Sequence, residues 1–231
     1  MTFEYYYNNV PGEGQSRNNL VYTSLISDDQ KTFVKWYHND TEYHQGKNQV
    51  IDPDKMEEKW HREMHFLHNM QYHNPELVPE IQEVNVPERK IYLKIDGPDF
   101  WQRADYLQEN YSKVLPDWQE QMLAIIQAHK DRGWYKYSMH PSSYFVVDGK
   151  LKSINYFFTY DESDPGISIS SVQSHISTQR QEQLKQFTDS QGIDWDQQYP
   201  HKFIQQLAFD CFSNNYPKEF IERAKEIYAR D

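Results

Sequence analysis

Between Met56 and Met70, apolar side chains recur at steps of three and four: Met56, Trp60, Met64, Leu67 and Met70. A single acid, Glu63, falls inside that stripe. This spacing marks one face of a helix, and an amphipathic helix must cover its apolar face with another element. Asp52-Pro53 is a start signal, because proline is tolerated in the first helical turn and Asp54, Glu57 and Glu58 suit the positive end of the helix dipole. Pro75 and Pro79 mark the exit. The flanking segments favour strands: Phe3 to Val10, Leu20 to Ile26 and Thr32 to Tyr37 before the helix, Ile81 to Val86 and Lys90 to Ile95 after it. Short turn signals, among them Pro11-Gly12-Glu13-Gly14 and Ser27-Asp28-Asp29-Gln30, separate them. The partner available to the helix is therefore an antiparallel sheet.

After Asp96-Gly97-Pro98, which reads as a linker, the pattern turns mainly helical. Helices are predicted at Phe100 to Asn110, Asp117 to Arg132 with Gly133 as C-cap, Ser174 to Ser190, Pro200 to Asn214 and Lys218 to Arg230. One hairpin interrupts them: Tyr144 to Val147 and Leu151 to Phe158 flank Asp148-Gly149, a strong two-residue turn signal. Asp161 to Ser171 reads as irregular. The predicted fold class is α+β, with a lobe at 1–96 built from five antiparallel strands and one helix, and a helical lobe at 97–231 carrying the hairpin.

Charge and composition narrow the function. Lys and Arg number 24 against 35 Asp and Glu, a net charge of −11. That balance argues against nucleic-acid binding, which rests on cations that neutralise phosphates. No apolar run approaches the ~20 residues of a membrane span, and the opening residues lack the basic and apolar regions of a secretory signal. Cys211 is the sole cysteine, which provides no disulfide framework and fits a reducing, cytoplasmic setting. Aromatic residues make up 16% of the chain, so the core is expected to be built largely from rings with polar tips.

Particular residues carry a resemblance. Val34-Lys35-Trp36 in the third strand resembles the Val-Ala-Ile-Lys segment of protein kinases. Gly12-x-Gly14 lies upstream, where a glycine-rich loop would sit, although a third glycine is missing. Glu63 resembles the helix glutamate that pairs with the lysine. His73-Asn74-Pro75-Glu76-Leu77-Val78-Pro79 resembles the loop after that helix, and Ile91 to Gly97 resembles the hinge strand. Ser138-Met139-His140-Pro141-Ser142-Ser143 resembles the catalytic loop, and Leu151 to Phe157 resembles the strand ending in Asp-Phe-Gly. The chain thus resembles the protein-kinase-like superfamily over most of residues 1–160, as a degenerate member; aminoglycoside- and choline-kinase-type phosphotransferases are the alternative relatives.

The resemblance implies a two-lobed fold, with Lys35, Glu63, Gly12 and Gly14 on the nucleotide side. It also implies lost chemistry. Ser138 stands where the catalytic aspartate belongs, Ser143 where the metal-binding asparagine belongs, and Asn155 where the magnesium aspartate belongs. Magnesium prefers hard, usually anionic oxygens, and serine is no carboxylate base. No catalytic residue is then competent, no metal site is expected, and ATP, if bound at all, binds without a well-formed magnesium site. His140 is the candidate substitute base, and Asp161, with Glu162 and Asp164, the candidate replacement carboxylates. His61, His65 and His68 read as an exposed helical face rather than a zinc site. The three replaced positions are expected on a loop and a strand end, outside the core. The resulting expectation is a non-catalytic binding or regulatory pseudokinase whose partner is an unidentified protein or small molecule. An atypical small-molecule phosphotransferase and an unrelated α+β interaction domain are the rivals. Tyr22, Trp36 and Phe157 are the rings able to fill an adenine pocket.

Overall fold

The computed structural model describes residues 1–10, 14–17, 22–38, 53–173 and 178–229. In chain order the elements are strands β1 (Phe3–Tyr5), β2 (Tyr7–Val10), β3 (Gly14–Arg17), β4 (Thr23–Ser27) and β5 (Thr32–Trp36), helix α1 (Pro53–His73), and strands β6 (Ile81–Asn85) and β7 (Lys90–Lys94). Helices α2 (Phe100–Arg103), α3 (Tyr111–Val114) and α4 (Trp118–Lys130) follow, then β8 (Trp134–Lys136), β9 (Tyr144–Val147), β10 (Lys150–Ser153), β11 (Thr159–Asp161) and β12 (Ile167–Ser168). The chain closes with α5 (Ile169–Gln173), α6 (Thr178–Gln191), β13 (Gln198–Tyr199), α7 (His201–Cys211) and α8 (Lys218–Ala229). The fold is mixed α+β, and none of the described helices is long and apolar enough to cross a membrane.

Two compact units divide the chain: residues 1–122 with 140–158, and residues 123–139 with 159–231. The first contains an antiparallel sheet in the order β1-β4-β5-β7-β6. Its register sets Lys35 opposite Ser24 on one side and Ile91 on the other. Strand side chains alternate between faces, so Phe33 and Lys35 point the same way, among the fully buried Ile91 and Leu93. α1 turns Met56, Trp60, Glu63, Leu67 and Met70 inward, as the stripe predicts, while Met64 is half-buried and Phe66 is buried beside them. His61, His65 and His68 are exposed on the opposite face.

The predicted first strand is in fact two. β1 pairs with β4 in the sheet, and after Tyr6 the chain continues as β2, which pairs with β3 as a separate ribbon. Tyr6 explains the break, because its hydroxyl meets the Asp99 carboxylate at 2.8 Å and accepts from the Asp99 amide at 2.9 Å. The helix predicted over Phe100 to Asn110 stops at Arg103. Asp99 caps its start by accepting from the Gln102 amide at 2.9 Å, whereas Asp105 and Tyr106 take φ values of 51° and 63°, which a right-handed helix cannot contain. The β9–β10 hairpin forms as predicted: Asp148 and Gly149 have φ values of 51° and 71°, the paired left-handed residues of a type I′ turn. The strand predicted to reach Phe158 ends at Ser153, because Asn155 turns left-handed with φ 67°.

In the second unit β8 pairs with β11, and β12 with β13, two short ribbons within segments that sequence patterns leave blank or irregular. The Gln205 side chain of α7 accepts from the Lys136 amide at 2.8 Å, and the Tyr228 hydroxyl of α8 donates to the Trp134 carbonyl at 2.6 Å. Contacts this distant in sequence hold strands too short to be stable alone.

Candidate functional site

Lys35 and Glu63 meet as the stripe position of Glu63 predicts. Lys35 Nζ donates to Glu63 Oε1 at 2.5 Å, and both side chains have zero exposure. The second carboxylate oxygen is also used: Glu63 Oε2 accepts from the Tyr156 amide at 2.6 Å and from the Phe157 amide at 2.8 Å. One carboxylate therefore ties strand β5, helix α1 and the segment after β10 together through charge-assisted hydrogen bonds.

The rest of the Lys35 environment is aromatic. Its ammonium lies 4.3 Å from the centre of the Tyr22 ring, 5.5 Å from Phe157 and 5.8 Å from Tyr37. Rings attract a cation through their negative faces, but they do not replace its hydration. Burial accordingly pulls the Lys35 pKa down to about 8, against the opposing pull of Glu63. Burial, followed by the Glu63 charge, raises the Tyr37 phenol well above its ordinary value. Trp36, one residue along β5, is only half-buried; it packs against His38 and Lys90 rather than Lys35.

Asn155 sits beside this cluster in its left-handed conformation, one that asparagine tolerates better than most residues. Asn155 Oδ1 accepts from the Tyr22 hydroxyl at 2.5 Å, and Asn155 Nδ2 donates to Ser143 Oγ at 2.8 Å. The two positions that the resemblance makes metal ligands are thus bonded to each other and to Tyr22. Ser143 and Asn155 are 3% and 4% exposed and Ser138 is 9%, which corrects the expectation that all three lie outside the core. The Ser138 carbonyl accepts from the buried Lys136 ammonium within the second unit.

His140 is half-buried at the start of a single 3-10 turn, Pro141–Ser143. Its Nδ1 accepts from the Ser142 amide at 3.2 Å, and its ring meets the edge of Trp101 at 4.4 Å. Asp161 Oδ1 accepts from the Ser163 amide at 2.8 Å and the Asp164 amide at 3.1 Å, which folds its loop onto itself. Among the described residues no group of three or more His, Cys, Asp or Glu is placed to hold a metal ion. Gly14 opens β3; Gly12 lies outside the described residues.

Sequence reasoning did not anticipate the Tyr156 and Phe157 amides on Glu63, since backbone donors leave no mark in residue types. The Tyr22–Asn155 bond joins positions 133 apart, and its one local signal is an asparagine at the end of a strand. No protein-family model matches this chain, and no curated protein matches it either.

Proposed function

We propose that the chain is a degenerate member of the protein-kinase-like superfamily, with a two-lobed fold, that serves as a binding or regulatory module and does not transfer phosphate. The observation that carries this reading is the Tyr22–Asn155–Ser143 chain of hydrogen bonds. Phosphoryl transfer depends on positioning and on electrostatic stabilisation by metal-bound oxygens. At the two positions where the resemblance calls for those ligands, the side chains are neutral, buried and already engaged with each other. The resemblance gains support from the placement of Lys35 on a central strand and Glu63 on the long helix crossing the same sheet. In this reading that pair is retained as a structural tie.

A titration with ATP, first with magnesium and then with a chelator, tests the proposal. The expected result is weak or absent binding that is nearly independent of magnesium. A tenfold strengthening by magnesium, about 1.4 kcal/mol, counts against it and makes Asp161 the first residue to replace. Purified protein is further expected to show no transfer to itself, to generic proteins or to small alcohols and amines. Transfer abolished by Lys35→Ala overturns the reading in favour of an atypical phosphotransferase.

A further inference from the structure

We propose that Lys152 is a modification site: acylation of its amine by a thioester frees the turn that follows α1 from the β9–β10 hairpin. That segment is a single 3-10 turn, Pro75–Leu77. In such a turn a carbonyl bonds the N–H three residues on. For the Glu76 carbonyl that position is Pro79, which has no N–H. Lys152, in β10, supplies the donors instead. Its Nζ donates to the Glu76 carbonyl at 2.6 Å and to the Pro75 carbonyl at 3.2 Å, across 76 and 77 positions. This tie mirrors the one at Glu63. Glu63 reaches from α1 to two amides beyond β10, and Lys152 reaches from β10 to two carbonyls beyond α1.

The two ties differ in access and in charge. Glu63 is fully buried, whereas Lys152 is half-buried and its two bonds lie at the surface. Both Lys152 acceptors are neutral. Lys31 and Lys94, by contrast, hold the carboxylates of Asp96 and Glu80, and an opposite charge favours the protonated form of a lysine. Burial lowers the Lys152 pKa from the ordinary lysine value, against the pull of Glu76 and Asp148. Asp96 raises that of Lys31. Lys152 therefore offers more free amine at a given pH, and the free amine is the nucleophile. It attacks the thioester carbonyl carbon: the N–C bond forms, the C–S bond breaks, the thiolate leaves and the surplus proton on nitrogen passes to water. The product is a neutral amide with one N–H, so it cannot hold two carbonyls. The exit of α1 is then released while Glu63 keeps its own bonds. This inference rests on the Lys152 contacts and needs no kinase ancestry, so it stands or falls separately from the ATP and magnesium titration.

Two measurements test it. The unaltered protein is incubated with acetyl-coenzyme A at about pH 8, below the ordinary lysine value, and sampled at low conversion by peptide mass spectrometry. Acetylation at Lys152 should run several-fold faster than at the exposed, ion-paired Lys31 and Lys94. A rate no higher than theirs overturns the proposal. Release of the turn is read by hydrogen exchange at Leu77, whose amide donates to the Asn74 carbonyl at 2.9 Å. In Lys152→Gln, which imitates the neutral amide, this exchange should be several-fold faster than in the unaltered protein. In Lys152→Arg, which keeps the charge and several donors, it should stay close to the original rate. Unchanged exchange in Lys152→Gln overturns the release, and so does an equal acceleration in Lys152→Arg.

Discussion

Lys31 directly precedes β5 and Lys35 lies within it, four residues further on, and each has a carboxylate at 2.5 Å, Asp96 and Glu63 respectively. Equal distances conceal different physics. The Lys31–Asp96 side chains are 61% and 50% exposed, whereas those of Lys35 and Glu63 are fully buried. In water an ion pair gains little, because solvent screens it and holding two long side chains costs entropy. In the interior both charges have lost their hydration, so each depends on the other. The surface pair decorates the sheet; the buried pair decides how the sheet, the helix and the segment after β10 are joined.

The largest break in this comparison is expected from Glu63→Ala. It strands a buried lysine and frees two amides, and should lower stability by about 3–5 kcal/mol in chemical denaturation. A loss under about 1 kcal/mol would mean that the pair is solvated after all. Replacing both partners, Lys35→Met with Glu63→Leu, should cost distinctly less than Glu63→Ala, since apolar pairs often substitute well for buried ions. The cost that remains reports the Tyr156 and Phe157 amides.

Next in size is Ser143→Ala. It leaves the buried Asn155 Nδ2 without its 2.8 Å acceptor, and about 1–3 kcal/mol should be lost. Equilibrium unfolding measures this, and no change would indicate that water or another oxygen takes over.

A smaller effect concerns pH. The folded chain releases the Lys35 proton near 8, whereas the ordinary lysine value is 10.5. Between those values the unfolded chain binds more protons, so this group makes stability rise with pH. Tyr6, Tyr37, Tyr111 and Tyr144 act in the opposite sense. Burial is the main cause that raises each of their pKa values, with Asp99 adding to Tyr6 and Tyr111 and Glu63 to Tyr37. Their stabilisation is complete below about pH 10, where unfolded tyrosine ionises, and is lost above it. Four groups outweigh one, so unfolding free energy should peak just below about pH 10 and fall beyond it. The Lys35→Met, Glu63→Leu double variant should lose the rising limb and keep the falling one.

The smallest effect is reserved for the surface pair. Asp96→Ala should leave the thermal midpoint within measurement error at moderate salt. A clear drop that persists at high salt would erase the distinction drawn between the two pairs.

Much of the first unit was legible from local pattern. The α1 stripe identified the helix and marked Glu63 as an inward-facing acid; Asp148-Gly149 located the hairpin turn. Each of these is a periodicity or a backbone preference carried by a few neighbouring residues. The second unit was less legible, because two-residue strands such as β12 and β13 carry too little pattern to register. The short helix α2 misled the reading for a related reason: Phe100 to Asn110 has helix-favouring residues, but the left-handed Asp105 and Tyr106 break the run.

Local residue pattern sets the periodicity of α1 and of the strands around it, hence an α+β chain with Glu63 turned toward a sheet that carries Lys35. Tertiary structure alone decided what closes around that pair. Glu63 reaches amides 93 and 94 positions away, and Tyr22 reaches Asn155 across 133 positions. The physical reason is that burial and hydrogen bonding act through space: residue type fixes which donors and acceptors a side chain owns, whereas the folded chain alone brings a distant partner within 3 Å and removes the water that would otherwise compete.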